Sequence, residues 1–217
     1  MFIGHFAVAL AAKKAAPRTS LGTLFVAAQF PDLLWPILLI LGVERVEIAP
    51  GDTQVTPLAF VHYPYSHSLL GVLLAAALLA AIYKGMKGYT REAIIVGLAV
   101  FSHWILDAAS HRPDLPLHPS RSVMVGFGLW NSRSWTLIVE GAIFVAALFI
   151  YLKTTRAKDK TGVYSFWAFI AFLVAIYFGN LFGPPPPSVG ILEISALGIW
   201  LLVAWGYWID RHREARV

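Results

Sequence analysis

The residues best suited to chemistry are His103, Asp107 and His111, in the stretch SHWILDAASHRPDLPLHP. Spaced four residues apart, they share one face of a helix. Imidazole and carboxylate groups bind borderline and hard divalent ions such as zinc. An ionisable side chain within an apolar helix is costly to insert in a membrane and usually has a functional role. The stretch therefore predicts one part of a divalent-metal site.

Other apolar segments of the chain each contribute a further ionisable residue. His5 lies in the first segment, Asp32 lies between two prolines of the second, and His67 stands at the start of the third. Glu140 is about a turn and a half into the fifth segment, counted at 3.6 residues per turn. Such residues from several elements are what a divalent-metal site requires, because they fix the coordination and leave a position for water.

The composition indicates an integral membrane protein. Of 217 residues, 58% are hydrophobic and 13% are charged, and the mean hydropathy is +0.68, which excludes an ordinary soluble domain. The chain has no cysteine, which excludes thiolate zinc sites, iron–sulfur clusters and disulfides. Any metal must therefore be held by His, Asp or Glu. No pattern indicates nucleic-acid binding, since the net charge of +5 follows from basic residues placed around a membrane.

The apolar segments predict an all-α integral membrane protein, a bundle of about six transmembrane helices. A helix needs about 20 residues to cross a ~30 Å hydrocarbon core, and four segments meet that length clearly, whereas two lie near the short limit. The two shorter segments end in glycine and aromatic residues typical of membrane helices. The six predicted spans cover residues 21–42, 66–83, 90–110, 135–152, 163–182 and 189–209.

The first segment, residues 1–16, is apolar at its start but too short to span a membrane comfortably. It lacks a small-residue cleavage pattern after a basic start, so we predict a retained helix that is tilted or only partly inserted. Long soluble loops and repeats are not evident, which predicts a single polytopic membrane domain over residues 1–217. Within it, we place the metal-site region at about 1–140 and structural helices at about 163–210.

Lysine and arginine positions predict the orientation of the chain. Thirteen of its 17 basic residues fall on alternate connections and at the C-terminus, and Arg45, Arg112, Arg121 and Arg133 are on the other side. Because cytoplasmic connections retain most basic residues, we predict a cytoplasmic C-terminus in a bacterial inner (plasma) membrane. The histidines and carboxylates named above then lie in the outer half of the membrane.

Four segments resemble the YdjM-like family of membrane-bound, metal-dependent hydrolases. They are GHFAVAL from Gly4, QFPDLLW from Gln29, HYPYSHSLL from His62 and SHWILDAASHRPDLP from Ser102. They span roughly the first half of the chain, and SHSL and SHWxxD are the most specific elements. The family is distantly similar to the fold of zinc phospholipase C and single-strand nucleases, in which a helical bundle holds two or three zinc ions. The resemblance therefore implies a zinc-dependent hydrolase built as a helical bundle.

The resemblance also implies a set of metal ligands, because the order of an early His, an Asp, a His and then HxxxD is matched here. Leu34 stands where many relatives have the second aspartate of PDxD, so a bridging carboxylate is missing. A later HxxxD pair has no clear counterpart either. These departures favour one or two ions, with zinc the first choice, over three. The implied ligands are His5, Asp32, His67, His103 and Asp107.

A hydrolytic site would give roles to other polar residues. A bound divalent ion lowers the pKa of water towards ~7 and polarises a phosphoryl or acyl oxygen. Asp114 or Glu140 would accept the proton, and His111 would act as the acid for the leaving group. Arg112 and His62 would contact the substrate at the mouth of the site. Because the site would face lipid head groups, the expected substrate is a phosphoester of a lipid or a lipid-linked small molecule.

Simpler interpretations fit the same residues. Asp107 and His103 could form a plain hydrogen bond, because a buried charge demands a partner in any case. Glu140 could instead accept a hydrogen bond from Trp130 or Asn131. Under the first interpretation Asp107 and His103 would not bind a metal, and under the second Glu140 would not take part in catalysis.

Rival functions are a non-catalytic metal-binding scaffold or sensor, and an ion- or proton-coupled transporter. Whatever the function, the segment with His111, Arg112 and Asp114 could form only a solvated turn, and His62 could be an interfacial residue. A transporter predicts ionisable residues in both halves of the membrane. The inner half has no matching set, no inverted repeat is visible, and the HExxH motif of metalloproteases does not occur.

Overall fold

The computed structural model describes residues 1–120 and 123–216, so Arg121 lies outside the described residues. Most of the described residues are helical, and the prediction of an all-α membrane protein is confirmed. The helices are α1 (Phe2–Ala15), α2 (Leu21–Ala28), α3 (Phe30–Ile40), α4 (Pro64–His67), α5 (Leu69–Lys87), α6 (Thr90–Ser110), α7 (Arg133–Thr154), α8 (Lys160–Phe182), α9 (Val189–Leu197) and α10 (Ile199–His212).

Five segments of the described chain are long and apolar enough to cross a membrane, and a bent pair of helices makes a sixth. The five are α5, α6, α7, α8, and α9 together with α10. The predicted span at 90–110 coincides with α6. The segment predicted as a span at 21–42 is the bent pair, in which α2 and α3 meet at Gln29 with a bend of 59°. Pro31 has no N–H to continue the helical hydrogen bonds, which accounts for an interruption just before it.

Helix α1 occupies the centre of the bundle. It packs against α2, α6, α7 and α8, and four of its apolar side chains, those of Phe6, Ala7, Ala9 and Leu10, are fully buried. At 1.5 Å per residue its 14 residues extend about 21 Å, which is less than the ~30 Å hydrocarbon core. The longer helices therefore surround a short helix that could not span the membrane by itself.

The described residues form three two-stranded antiparallel sheets outside the helices, and the sequence did not predict them. They pair β1 (Arg45–Ile48) with β2 (Leu58–His62), β3 (Leu115–Pro116) with β4 (Met124–Val125), and β5 (Thr155–Ala157) with β6 (Arg213–Ala215). The prediction that long loops are absent is wrong for the first two pairs, which belong to extended connections before α4 and α7. Strands this short show too little alternation to be recognised in a sequence.

The ends of the bundle differ in charge. At one end, here called the basic end, Arg18 lies 4.8 Å above the ring of Tyr89, and Arg156 pairs with Glu214 at 2.8 Å. The start of α1, the last turns of α6 and the β1–β2 hairpin form the opposite end, here called the cluster end. This separation agrees with the alternation of basic connections in the sequence. The side of the membrane that each end faces stays a prediction.

Replacing Lys13 by alanine should destabilise the basic end. Lys13 is 5% exposed, and its Nζ lies 2.8 Å from Asp210 Oδ1 and 2.7 Å from the carbonyl of Thr19. Breaking a buried ion pair typically costs 3–5 kcal/mol, and we expect about 2 kcal/mol here because a quarter of Asp210 is exposed. Thermal unfolding in detergent should show a lower Tm for Lys13→Ala. The adjacent exposed lysine provides the control, since Lys14→Ala should leave Tm unchanged; equal shifts would contradict the prediction.

Candidate metal centre

Five ionisable side chains from four helices converge at the cluster end, and they are the five ligands that the family resemblance implied. His5 comes from α1, Asp32 from α3, His67 from α4, and His103 and Asp107 from α6. They form two overlapping groups, His5 with His103 and Asp107, and Asp32 with His67 and His103. Within each group, one potential ligand atom per residue lies within 4.8 Å of the others.

In four of these residues, each histidine nitrogen lies within 3.8 Å of an oxygen of both aspartates. His67 Nε2 lies 3.4 Å from Asp32 Oδ1 and 3.8 Å from Asp107 Oδ2. His103 Nε2 lies 3.7 Å from Asp32 Oδ1 and 3.1 Å from Asp107 Oδ2. Donors bound at 2.0–2.1 Å to a tetrahedral zinc ion are roughly 3.3–3.4 Å from one another. The residues present therefore fit a divalent ion, and we call His67, His103, Asp32 and Asp107 the four-donor site.

His5 adjoins the four-donor site on the other oxygen of Asp107. Its Nε2 lies 3.1 Å from Asp107 Oδ1, and the α-amino group of Met1 lies 2.6 Å from the same oxygen. The rings of His5 and His103 stack with centroids 3.6 Å apart. Asp107 thus presents one oxygen to His67 and His103 and the other to His5.

The tautomer of His103 follows from a backbone contact. Its Nδ1 lies 2.8 Å from the carbonyl oxygen of Ala28, and a carbonyl can only accept, so Nδ1 carries the hydrogen. The other ring nitrogen, Nε2, is buried and has no hydrogen-bond partner among the described residues. Ala28 ends α2, and carbonyls in the last turn of a helix lack intrahelical partners. The helix break therefore supplies the contact that presents the Nε2 lone pair to the site.

His67 is held by a buried chain of hydrogen bonds. Ser66 Oγ donates to Glu44 Oε2 at 2.6 Å and lies 2.7 Å from His67 Nδ1. Because the hydroxyl hydrogen is directed to the carboxylate, Ser66 Oγ accepts from Nδ1–H, and the lone pair of Nε2 is left free to bind an ion beside Asp32. Glu44 also accepts from the backbone N–H groups of Tyr65 and Ser66, at 2.8 and 2.9 Å. Carboxylate partners of this kind commonly orient metal-binding histidines.

Ser66→Ala should weaken metal binding without removing a ligand. Loss of such an outer partner typically lowers metal affinity 10–100-fold, because the ring loses its fixed tautomer and direction. Competition with a chromophoric zinc chelator would measure the change. Ser102→Ala is a matched control, since Ser102 also precedes a ligand histidine but donates to the carbonyl of Ala99. Equal affinities for the two variants would show that Ser66 does not position His67.

Burial of the cluster is uneven. The side chains of His5, His67, His103 and Asp107 are all at most 5% exposed, whereas that of Asp32 is 26% exposed. A molecule entering from outside would therefore first meet the cluster at Asp32.

A separate network at the cluster end joins three residues with predicted catalytic or substrate-binding roles, His111, Arg112 and Asp114. Asp114 lies 3.0 Å from His111 Nδ1 and accepts from Arg112 Nε at 3.1 Å, and Arg112 also pairs with Asp52 in the β1–β2 connection. Although burial raises the pKa of Asp114, hydrogen bonds from His111 and Arg112 lower the pKa more, so the carboxyl stays ionised more readily than usual. The network joins two loops across the mouth of the bundle.

The network is separated from the candidate ligands by an aromatic ring. The Tyr63 ring lies 5.3 Å from that of His67 and 5.9 Å from that of His111, between centroids. His111 is itself 3% exposed and packs against Trp130 at 4.5 Å. The interpretation of His111 as part of a solvated turn is therefore wrong. The catalytic roles predicted for His111 and Asp114, and substrate contact by Arg112, stay predictions.

Glu140 and His62 lie beside the cluster rather than in either ligand group. Glu140 is buried on α7 and accepts a hydrogen bond from the N–H of Gly4 at 3.4 Å, in the first turn of α1. The first N–H groups of a helix lack intrahelical partners, so Glu140 caps α1 next to His5. The described contacts therefore favour the Gly4 amide over Trp130 or Asn131 as its partner.

His62 lies at the end of β2, opposite Arg45, with its ring 6.3 Å from that of Tyr65. It is partly exposed and belongs to neither group of potential metal ligands. Proton transfer by Glu140 and substrate contact by His62 both stay predictions.

Sequence reasoning missed two buried polar residues near the site, Glu44 and Gln29. Glu44 was overlooked because its role depends on a contact with Ser66, 22 residues away. Gln29 is fully buried at the break between α2 and α3, and its amide atoms have no hydrogen-bond partner among the described residues. The signal in the sequence that could have identified Gln29 is its position directly before the FPD sequence, which contains the candidate ligand Asp32.

Comparison with known proteins identifies the family. No curated protein and no solved structure matches the chain, so similarity to the zinc phospholipase C fold stays a prediction. A family model described as YdjM inner membrane protein matches residues 1–183. The matched region contains the whole cluster and ends before α9 begins. With its apolar helices, the chain is therefore an integral inner membrane protein that belongs to the YdjM inner membrane protein family.

Proposed function

We propose that this protein is a membrane-embedded, metal-dependent hydrolase whose four-donor site binds a divalent ion, with zinc the first choice. The observation that supports this most directly is the set of four distances of 3.1–3.8 Å between histidine nitrogens and carboxylate oxygens. They bracket the roughly 3.3–3.4 Å expected between donors on one tetrahedral zinc ion.

A second ion would bind more weakly. His103 Nε2 belongs to both groups of potential ligands, but an imidazole nitrogen has one lone pair and can bind only one ion. If His103 serves the four-donor site, His5 and Asp107 Oδ1 are left for a second ion, which is too few side chains for a closed site. We therefore expect one tightly bound ion per chain, retained in His5→Ala.

The arrangement of the ligands suits hydrolysis. Two buried histidines and one buried aspartate, His67, His103 and Asp107, correspond to the three protein ligands of catalytic zinc sites. Asp32 lies on the exposed side, where water would bind in its place or as a fifth ligand and where a substrate could approach. An ion bound there would activate water and polarise the phosphoryl or acyl oxygen of the substrate. Asp114, which keeps its negative charge, is the proposed proton acceptor at the mouth, and Arg112 beside it is the proposed phosphate contact.

The proposed substrate is a phosphoester of a lipid or a lipid-linked small molecule, cleaved at the outer side of the inner membrane. The separation of the cluster end from the basic end supports this placement, because basic connections are retained in the cytoplasm. Lipid head groups would lie at the depth of the rim arginines Arg112 and Arg133.

A non-catalytic, metal-stabilised scaffold or sensor is the second candidate. It is favoured by the low exposure of the cluster, since four protein ligands around one ion are typical of structural zinc sites. Turnover separates the two functions.

The test begins with elemental analysis of protein purified in detergent, followed by a panel of lipid phosphoesters and acyl esters with and without chelator. We expect about one divalent ion per chain, and hydrolysis that chelation abolishes and zinc restores. Bound metal without chelator-sensitive turnover would support the scaffold instead. Protein that binds no divalent ion would overturn the proposal.

A further inference from the structure

An apolar cavity lies beside the one exposed residue of the four-donor site. Its volume is about 620 Å³, and Asp32 forms part of its wall. Sites for small molecules typically measure 300–1,000 Å³ and combine apolar walls with a few polar groups. The rest of the wall comes from α1, α3, α8, α9 and α10, so the cavity lies within the bundle.

The cavity is polar at one end and apolar at the other. Asn180 and Ser195 line it near the cluster end, whereas Phe172 and Trp205 line it nearer the basic end, where their rings are 5.9 Å apart. Asn180 and Phe172 lie eight residues apart on α8, which corresponds to about 12 Å along the helix axis. An occupant with a polar group at one end and an alkyl chain at the other matches this gradient.

Two lining residues show where the cavity opens. Leu201 is 74% exposed and Phe172 is 48% exposed on the outer surface of the bundle, and both belong to membrane-spanning segments. The opening therefore faces the side of the bundle, where the surrounding medium is the hydrocarbon of the membrane. A molecule could pass from the bilayer to Asp32 without crossing water.

A second cavity of about 510 Å³ adjoins the first at Asn180 and Ser195. Its wall includes Arg133, whose guanidinium donates to the carbonyl of Gln54 at 2.8 Å. Arginine is well suited to phosphate recognition. The pair of cavities thus offers a space for an anionic head group next to a space for an alkyl chain.

We propose that the apolar cavity binds one acyl chain of a membrane lipid and leads the lipid sideways from the bilayer to Asp32. The identification of that lipid as the substrate rests on the proposed hydrolase function, but binding of the chain does not. Helices α9 and α10, which lie beyond the family match at 1–183 and which we predicted to be structural, form one wall of this site.

The fit of the chain should decide binding. An acyl chain that moves from the bilayer into the cavity leaves one hydrocarbon environment for another, so the hydrophobic effect gives little net drive. Contact with the walls is then the main source of affinity, and a side chain that fills the cavity should exclude the lipid. The buried candidate ligands His67, His103 and Asp107 do not line the cavity, so filling it should leave them in place.

Photolabelling in nanodiscs tests the proposal. The probe is phosphatidylglycerol with a diazirine at the end of one acyl chain, in a bilayer of phosphatidylethanolamine and phosphatidylglycerol. Leu202 is the diagnostic position, because it lines the cavity but is only 5% exposed, so lipid on the surface of the bundle reaches it poorly. We expect wild-type protein to be labelled there, and Ala196→Trp, which fills the cavity, to be labelled at least fivefold less. Ala204→Trp on the exposed face of α10 is the matched control and should be labelled like wild type.

The outcomes separate this inference from the hydrolase proposal. Ser195→Trp serves as a second filling variant if Ala196→Trp does not fold, as judged by gel filtration and circular dichroism. Absence of label at Leu202 in wild type, or equal labelling in a folded filling variant, would overturn the acyl-chain site. Leu202 could be labelled as expected, and still labelled after chelation, in a protein that hydrolyses no lipid. That result would support the acyl-chain site and overturn the hydrolase proposal. Hydrolysis, together with labelling that cavity filling does not reduce, would support the hydrolase and overturn the acyl-chain site.

Discussion

His103→Ala is expected to lower the bound divalent metal from about one ion per chain to less than a tenth. His103 belongs to both groups of potential ligands, is fully buried, and presents an Nε2 without a hydrogen-bond partner among the described residues. Loss of an outer partner alone lowers metal affinity 10–100-fold, so loss of this ligand should lower it by more than about 100-fold. Elemental analysis of protein purified in detergent measures the occupancy directly.

His118→Ala is the control for this experiment. His118 is exposed in the loop after α6, where its Nδ1 lies 3.0 Å from Ser120 Oγ, so its removal should leave the metal content unchanged. Added zinc should also raise Tm in wild type and in the control but not in His103→Ala, because a ligand that binds only the folded state stabilises it. Full metal content in His103→Ala would favour plain Asp–His hydrogen bonding over a metal site.

Asp32→Asn is expected to lower kcat/KM per bound ion about 100-fold, or ~2.7 kcal/mol in transition-state free energy. Asp32 is the exposed member of the four-donor site, so it is the ligand placed to face substrate. Asparagine keeps the shape but loses the negative charge, while the buried ligands His67, His103 and Asp107 can still hold the ion. The measurement is chelator-sensitive hydrolysis of a lipid phosphoester, divided by metal content.

Asp159→Asn is the matched change at the basic end, where Asp159 pairs with His212 at 2.8 Å on the protein surface. It should leave both metal content and turnover unchanged. If Asp32→Asn lost activity only in proportion to lost metal, Asp32 would be a ligand without a separate effect on the reaction. Unchanged activity with full metal content would show that Asp32 lies outside the active site.

Predictions based on periodicity and hydropathy succeeded where the structure is local. The span predicted at 90–110 matches α6, and the spacing of His103 and Asp107 placed both on one face of that helix. Predictions failed where several elements interact. The span 21–42 is broken at Gln29, and the described residues form three short sheets that the sequence did not predict.

The chain by itself determined the class of protein and the kind of ligand available. Its apolar composition requires a membrane environment, and the absence of cysteine leaves only histidine and carboxylate ligands. The resemblance in its first half named five candidate ligands in order along the chain, and the structure brings these five residues together. The family match over 1–183 agrees with that part.

Only the tertiary structure decided how the ligands are arranged. The bend at Gln29 leaves Asp32 3.4 Å from His67 and the Ala28 carbonyl 2.8 Å from His103. Glu44 orients His67 through Ser66. Distances between elements depend on how helices pack and where they break, and sequence spacing fixes geometry only within one helix. The exposure of Asp32 to an apolar cavity is likewise a property of the assembled bundle.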